Sequence, residues 1–340
     1  MEKKISDPIT PWYSAVGELG DFIGMRFARV APGSSEPEWI FVPHNQYDGV
    51  GAIVKMFGER GGKFDSLPQA KPPAKPPQNL FWRLLKLNFR SRGRLKWKSL
   101  GAVGKVPVPP QPVSAVAWHA FDENATAQMR AYCNKSGVTV NSFLLKHLTN
   151  TLRPYLETPA ATVPWMIPVN LRGRVKSASE TANHTSYLSV LVAANDSMQD
   201  IHRKIYEAVE RDEPYLNWYA YTLGRFIPHA MKKFMIANEL ATSQWHIGAF
   251  SNLGVWDSEK KITAPDCQGT WLVSPPVLKF SLFGAGCIAF QSKLGLTLQA
   301  HPELTTDMAV CKKWMQTWIE HINAELVKNP LPKSREKISA

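Results

Sequence analysis

The alternation of hydrophobic and polar residues predicts two groups of secondary-structure elements along the chain. In the first group it predicts strands over 22–30 and 39–42, and a helix that begins near Val50 and stops before Gly61. In the second group it predicts strands over 115–121, 165–172, 184–194, 278–283, 286–291 and 295–300. Helical spacing predicts helices over 122–132, 142–152, 197–212 and 306–326. Helices interleaved with strands predict an α/β fold with mixed sheets flanked by helices.

A proline-rich and basic stretch separates these two groups of elements. Proline fixes φ and has no backbone N–H, so runs of proline cannot join a sheet or the interior of a helix. Such runs lie on both sides of the basic residues in this stretch. We therefore predict an N-terminal half over 1–64, a surface crossing over 65–112, a C-terminal half over 113–328 and a flexible tail over 329–340.

The chain is basic, with 40 Lys and Arg residues against 28 Asp and Glu residues and a formal net charge of +12. The excess is concentrated over 82–105, where basic residues alternate with aromatic and aliphatic ones and no acid occurs. Such a stretch indicates either an anionic partner or a solvated connector held in place by its aromatic side chains. A phosphate-bearing molecule, an anionic membrane surface and a nucleic acid are the anionic partners that fit, and nucleic acid is the least favoured.

The N-terminus and the cysteines narrow the class of protein further. No apolar signal segment opens the chain, and no apolar run reaches the about 20 residues that a membrane span requires. We therefore expect a cytoplasmic protein, either soluble or associated with a membrane surface. Cys133, Cys267, Cys287 and Cys311 are scattered without a CxxC pair. This spacing favours buried thiols over a disulfide framework or a zinc site, and we predict no metal.

The strongest chemical signal is the sequence Pro-His-Asn-Gln-Tyr-Asp-Gly over 43–49, directly after the second predicted strand. His44 leaves the end of this strand, and Asp48 and Gly49 follow four and five positions later. A turn of this kind can fix one imidazole nitrogen and leave the other to transfer a proton. Gly49 allows the chain to turn tightly into the next helix. By spacing alone, a purely structural turn is the more frequent interpretation.

The pattern His44-x-x-x-Asp48-Gly49 after an apolar strand resembles the motif of the chloramphenicol-acetyltransferase-like acyltransferases. This superfamily includes peptide-synthetase condensation domains, plant acyl-CoA-dependent acyltransferases and wax ester synthase/diacylglycerol acyltransferases. The family pattern has two adjacent histidines, of which the second is catalytic, and Pro43 replaces the first here. Three further stretches resemble family motifs in family order, and they lie at 137–145, 167–172 and 250–254.

The resemblance implies a chloramphenicol-acetyltransferase-like two-subdomain fold with an active-site tunnel between the halves. It implies that His44 is the general base for a hydroxyl or amine acceptor that attacks the thioester of acyl-CoA or an acyl carrier protein. Ser251 or Asn252, with nearby backbone N–H groups, would stabilise the oxyanion. The thioester is a co-substrate, so no bound cofactor is implied, and the acceptor is a small molecule or a lipid.

The resemblance also assigns supporting residues. It implies that Asp48 and Gly49 shape the loop and that an arginine pairs with Asp48, with Arg172 and Arg26 as the candidates. Asn170, Arg172 and Asn183 are candidate substrate-binding residues. A structural role at the strand end is the favoured alternative for Asn170 and Arg172.

The segment before His44 is shorter than in the family, because only 43 residues precede it. Three explanations stay open: the 65–112 segment supplies the missing elements, a second subunit of a homo-oligomer completes the site, or the protein has lost catalysis. The sequence therefore carries two alternatives to an acyltransferase. One is a non-catalytic binding or scaffold protein of the same fold. The other is a peripheral binder of anionic membranes or nucleic acid that acts through 82–105.

Overall fold

The computed structural model describes residues 8–21, 23–62, 64, 67–70, 79, 82–83, 95–105, 115–242, 246–256 and 265–330. Most of the predicted crossing segment over 65–112 and of the predicted tail over 329–340 lies outside the described residues. Within the described ranges, no helix is both long enough and apolar enough to cross a membrane.

Helices and strands are interleaved along the described chain, as predicted. In chain order they are α1 (Thr10–Gly17), β1 (Gly24–Val30), β2 (Glu38–Pro43), α2 (Gly49–Glu59), β3 (Val116–Phe121), α3 (Glu123–Lys135), α4 (Val140–Leu152), β4 (Val163–Asn170), β5 (Thr185–Val192), α5 (Met198–Glu210), α6 (Glu213–Leu223), α7 (His229–Thr242), β6 (Gly248–Val255), β7 (Thr270–Ser274), β8 (Phe283–Phe290), β9 (Lys293–Ala300) and α8 (Met308–Lys328). The described part of the chain also has single 3-10 turns at Arg153–Tyr155, Gly224–Phe226 and Pro265–Cys267. The helices Thr10–Gly17, Glu213–Leu223 and His229–Thr242 and the strands Gly248–Val255 and Thr270–Ser274 were not predicted.

A six-stranded sheet forms the larger part of the described fold, with the strand order β3-β9-β8-β6-β4-β5. Strand β6 pairs in parallel with both β4 and β8, whereas the other pairs are antiparallel. This sheet is therefore mixed, as predicted. Helices α3, α4, α5 and α8 pack with it in one hydrophobic core, in which Trp165, Trp314 and Trp318 are fully buried.

A second, three-stranded sheet has the order β2-β1-β7 and is antiparallel throughout. Its third strand comes from the C-terminal part of the chain, so the two predicted halves share this sheet. Strand β7 passes so close to the larger sheet that a Cβ at Gly286 would lie 2.0 Å from the Val273 carbonyl oxygen, and one at Gly295 would lie 2.3 Å from that of Trp271. The absence of side chains at these two positions lets the sheets pack together.

The strand predicted over 278–283 is wrong for most of its length. Only a single bridge between Leu278 and Ser281 forms there, and the regular strand starts at Phe283. Pro275 and Pro276 lack the N–H donors that a ladder needs, and the Lys279 N–H donates instead to Asp21 Oδ2, at 2.9 Å. The hydrophobic run is therefore a turn packed on the core rather than a strand.

Candidate active site

Five of the eight predicted site residues, His44, Gly49, Asn170, Ser251 and Asn252, line a cavity of about 140 Å³ between the start of α2 and the larger sheet. The polar part of its lining comes from His44, Asn170, Thr185, Ser251 and Asn252. The remaining lining residues are apolar or glycine, namely Met25, Gly49, Val50, Pro68, Pro168, Leu253, Val273, Pro275 and Pro276. A small apolar cavity with a few converging polar groups is the usual form of a binding or catalytic site.

The His44 side chain is oriented by the turn that follows β2. Its backbone N–H donates to the Ile23 carbonyl at 3.0 Å, and its Nδ1 lies 2.9 Å from the Tyr47 carbonyl oxygen. A carbonyl oxygen can only accept, so Nδ1 carries the proton in this hydrogen bond. The neutral imidazole then has its lone pair on Nε2. The turn thus selects the tautomer that a general base acting through Nε2 requires.

Three contacts hold the His44 segment from outside the turn. The Tyr13 ring of α1 stacks on the imidazole with centroids 5.5 Å apart. Thr10 Oγ1 donates to the Asn45 carbonyl at 2.9 Å, and Asn183 Nδ2 donates to the His44 carbonyl at 3.0 Å. Helix α1 therefore forms part of the support for His44, although the hydrophobic pattern did not predict this helix.

The Asp48 carboxylate is completely buried and accepts five hydrogen bonds. As the N-cap of α2, its Oδ1 accepts from the Gly51 N–H at 2.9 Å. The His184 N–H donates to Oδ2 at 2.9 Å, and the Thr185 hydroxyl donates to the same oxygen at 3.2 Å. The other two donors belong to Arg172.

Arg172 is the arginine that pairs with Asp48. Its Nη1 and Nη2 reach the two carboxylate oxygens at 2.8 and 2.6 Å, and neither side chain is exposed. The remaining guanidinium hydrogen bonds go to the carbonyls of Glu180 and Ala182 and to Asn170 Oδ1. Arg26 lies over the Phe41 ring instead, where burial lowers the pKa of its guanidinium to about 10. The sequence alone left these two arginines undecided.

The start of α2 approaches its neighbours closely at two glycines. A Cβ on Gly49 would lie 2.3 Å from Leu253 Cδ2, and one on Gly51 would lie 1.9 Å from the Thr181 carbonyl oxygen. Neither glycine has a positive φ, so close approach rather than a special turn explains both. Gly49 was predicted to serve the turn, and Gly51 was not predicted at all.

Strand β6 carries the other predicted catalytic residues on the opposite side of the cavity. Ser251 is 8% exposed, and its hydroxyl makes no hydrogen bond with another described residue. Asn252 Oδ1 accepts from the Gly254 N–H at 2.7 Å, which leaves Nδ2 as the donor of that side chain. The pairing of β6 with β8 shifts register between Asn252 and Val255. This irregularity bends β6 at the part of the strand that borders the cavity.

The three candidate substrate-binding residues occupy different places. Asn170 borders the cavity, but its Nδ2 donates to the Pro68 carbonyl at 2.8 Å and its Oδ1 accepts from the Arg172 N–H at 3.0 Å. Arg172 and Asn183 lie behind the lining and are fully buried. The favoured structural role for Asn170 and Arg172 agrees with these hydrogen bonds. Direct substrate contact by any of the three stays a prediction.

Other reactive groups near the cavity are sparse. Cys287 lies opposite Asn252 on β8, where burial raises the pKa of its thiol, so the thiolate needed for nucleophilic attack is disfavoured. Within the described ranges, no group of three or more His, Cys, Asp and Glu residues is placed to hold a metal ion. Thr185 and Tyr13 are further residues of the site or its support, and neither carries a sequence signal that identifies it.

The fold is similar to several solved structures at low sequence identity. Trichothecene 15-O-acetyltransferase TRI3 from Fusarium sporotrichioides superposes with a TM-score of 0.55 and 12% identity, covering 95% of this chain and 75% of that one. The condensation domain of the monacolin K polyketide synthase MokA gives 0.53 and 13%, covering 88% and 71%. The EpoB cyclization-docking bidomain from Sorangium cellulosum gives 0.54 and 10%, covering 87% and 61%. The predicted chloramphenicol-acetyltransferase-like fold is thus confirmed.

Comparison of the sequence alone gives no relative. No family model matches the chain, and no curated protein matches it. The likeness therefore concerns the fold alone.

Proposed function

We propose that the chain is an acyltransferase that moves an acyl group from a CoA or carrier-protein thioester to a hydroxyl or amine acceptor. The observation that carries this proposal is the hydrogen bond between His44 Nδ1 and the Tyr47 carbonyl at 2.9 Å. It assigns the basic lone pair to Nε2 on a residue that lines a cavity, and Ser251 and Asn252 line the same cavity. The fold likeness to an O-acetyltransferase and to condensation domains supports the same reaction class.

In the proposed mechanism His44 acts first as a base and then as an acid. Nε2 takes the proton of the acceptor hydroxyl or amine as the acceptor oxygen or nitrogen forms a bond to the thioester carbonyl carbon. The carbonyl electron pair moves onto oxygen, and the Ser251 hydroxyl or Asn252 Nδ2 donates to this oxyanion. When the oxyanion collapses, the carbon–sulfur bond breaks and the His44 imidazolium returns its proton to the departing thiolate.

The other residues of the motif act through position rather than by contact with substrate. Asp48 accepts five hydrogen bonds from the protein, so no lone pair is left to serve the reaction. Its hydrogen bond to the Gly51 N–H fixes the start of α2, and its ion pair with Arg172 fixes that helix to the loop after β4. We therefore assign Asp48 and Gly49 as structural support for the His44 turn.

The decisive experiment compares wild type with His44→Ala for transfer and hydrolysis with a panel of acyl-CoAs and acceptors. Loss of the general base is expected to lower kcat by roughly 100- to 10,000-fold while thermal unfolding stays cooperative. His119→Ala is the matched control, since His119 lies on β3, three strands away from β6 in the larger sheet. Equal activity of His44→Ala and His119→Ala would refute the proposal.

The size of the cavity favours a second candidate, a non-catalytic binding or scaffold protein of the same fold. Pockets for drug-sized ligands usually measure about 300–1,000 Å³, and this cavity measures about 140 Å³. The same experiment separates the two candidates. Saturable binding of acyl-CoA with no turnover in wild type would favour the binding protein.

The remaining expectations from the sequence stay proposals. They are a cytoplasmic location, a small or lipid acceptor, a homo-oligomer that completes the site, and contact of 82–105 with an anionic membrane. Residues 84–94 of that basic stretch lie outside the described residues. Salt-dependent binding to anionic lipid vesicles, lost when those arginines and lysines are neutralised, would test the membrane contact.

A further inference from the structure

A second and larger cavity, of about 310 Å³, lies between α6 and the loop that follows β4. The loop contributes Arg174 and Lys176 to its lining, and Arg225 contributes from the 3-10 turn after α6. Among the described residues, no acidic one belongs to the lining. Three positively charged side chains around one cavity indicate an anionic ligand, and guanidinium groups fit phosphate oxygens especially well.

Arg174 lines the cavity and is held in place by the protein. Its Nη2 donates to Asp212 Oδ1 at 3.0 Å, and its guanidinium carbon lies 5.3 Å from the centre of the Tyr215 ring. Its Nε–H is buried without a hydrogen-bond partner. That buried Nε–H does not face the cavity, but the contacts with Asp212 and Tyr215 fix the guanidinium in one position at the cavity, which lowers the cost of ordering it around a bound anion.

The charge at the cavity is only partly balanced by the described acids. Asp212 pairs with Arg174, and the buried Glu213 carboxylate pairs with Arg211. No described acid forms an ion pair with Lys176 or Arg225, and Arg225 lies over the Phe226 ring at 4.6 Å. Two positive charges therefore remain for a ligand.

The rest of the lining suits a flat or apolar part of the same ligand. Tyr215, Trp218 and Tyr219 form an aromatic wall along α6, and the two phenolic oxygens lie 3.2 Å apart. Burial raises the pKa of Tyr215 to about 12, so this phenol stays protonated as a neutral hydroxyl. Aromatic side chains stack on planar bases, and neutral phenols donate to phosphate or ring acceptors.

We propose that this cavity binds the phosphate group of a nucleotide-like ligand, with the phosphate at Arg174, Lys176 and Arg225 and the base against the aromatic wall. The evidence for this site comes from its own residues and does not depend on the proposed acyl transfer.

Two sources offer this chemistry, a free nucleotide and the nucleotide part of a CoA donor. The two cavities are close along the chain, because Asn170 lines the first and Arg174, four positions later, lines the second. Four residues span at most about 14 Å, which limits the separation of the backbone at these two positions. An extended pantetheine arm can cover that distance.

The binding test uses 3′,5′-ADP and inorganic phosphate as probes in calorimetric titrations of the full chain. Arg225→Glu and Lys176→Glu change exposed side chains and should leave the fold intact. We expect wild type to bind 3′,5′-ADP more weakly as salt rises, and each variant to bind roughly tenfold more weakly or worse. Lys312→Glu, on the exposed side of α8, makes the same charge change elsewhere and should bind like wild type. Absence of saturable binding at low salt, or an equal loss in Lys312→Glu, would overturn the proposal.

A second arm identifies the source of the ligand. If the CoA donor occupies the cavity, Arg225→Glu will raise KM for an acyl-CoA but not for the truncated N-acetylcysteamine thioester. If a free nucleotide occupies it, 3′,5′-ADP will bind without competing with the thioester. Both results support the site and name its occupant. A chain without transferase activity would leave the binding test unaffected, so failure of the proposed function and failure of this site can be told apart.

Discussion

On one side of the first cavity, the Asp48 carboxylate accepts five hydrogen bonds, two of them in its fully buried ion pair with Arg172. On the other side, the Ser251 hydroxyl has no hydrogen bond to another described residue, and Asn252 uses only its Oδ1, toward Gly254. The first side consists of polar groups that satisfy one another. The second presents donors for which no described residue provides an acceptor.

In the proposed acyltransferase, this difference would let one cavity combine a fixed base with donors that are free to bind the oxyanion. A general base works only if its orientation is fixed before substrate arrives, and a saturated hydrogen-bond network provides that fixation. Oxyanion stabilisation needs the opposite, donors that find their best acceptor only when negative charge develops. Variants on the Asp48 side should therefore change stability, and variants on the Ser251 side should change rate.

The largest effect is expected from Asp48→Ala. The substitution leaves the Arg172 guanidinium buried without its carboxylate and removes the N-cap of α2, so the free energy of unfolding should fall by about 3–5 kcal/mol. Urea unfolding measures this loss. Glu59→Ala is the control, because it breaks the exposed ion pair with Lys55, which should contribute at most about 1 kcal/mol. A similar small loss in both variants would contradict the role given to the buried pair.

Ser251→Ala should have the next largest effect, and on rate alone. Removing one oxyanion donor typically lowers kcat by about 100- to 1,000-fold, whereas the missing hydroxyl costs no protein hydrogen bond. Steady-state kinetics and thermal unfolding of the same samples measure both quantities. Ser186→Ala removes another buried serine hydroxyl without a hydrogen-bond partner, on β5 and outside the cavity lining, and should leave kcat unchanged. An unchanged kcat in Ser251→Ala would exclude that hydroxyl and leave Asn252 Nδ2 as the candidate donor.

The two sides of the cavity also differ in what the sequence could reveal. His44 and Asp48 lie in one turn, so one short motif, through its resemblance to the family pattern, was enough to predict His44 as the base and Asp48 as its support. The identity of the arginine could not be predicted, because Arg172 lies 124 positions from Asp48 and only the packed fold brings it there. Ser251 and Asn252 were expected at a turn, and the structure adds the parallel pairing of β6 that aims them at the cavity.

Two of the elements that sequence patterns did not predict, α1 and β7, depend on distant contacts. Helix α1 has eight residues and no side-chain cap, and it packs against α7, more than 200 positions away. Helices this short are unstable alone, so tertiary packing decides whether they form. Strand β7 has five residues and gains its partner β1 from the other end of the chain. Local periodicity carries little information about either element.

The smallest effect is expected where the two sides touch. A Cβ in Gly49→Ala would meet Leu253 Cδ2 at 2.3 Å, but the end of a leucine side chain can rotate away, so we expect a loss of about 1 kcal/mol in the free energy of unfolding. Leu253→Ala removes the clashing methyls, and the double variant should cost at least about 0.5 kcal/mol less than the sum of the single ones. If the losses in the free energy of unfolding are additive, Gly49 and Leu253 do not restrict each other's packing.

Neither change alters the Asp48 hydrogen bonds or the Ser251 hydroxyl. If Gly49→Ala loses activity and the double variant regains it, the loss comes from a changed distance between the His44 turn and β6. It does not come from a change in the catalytic groups themselves.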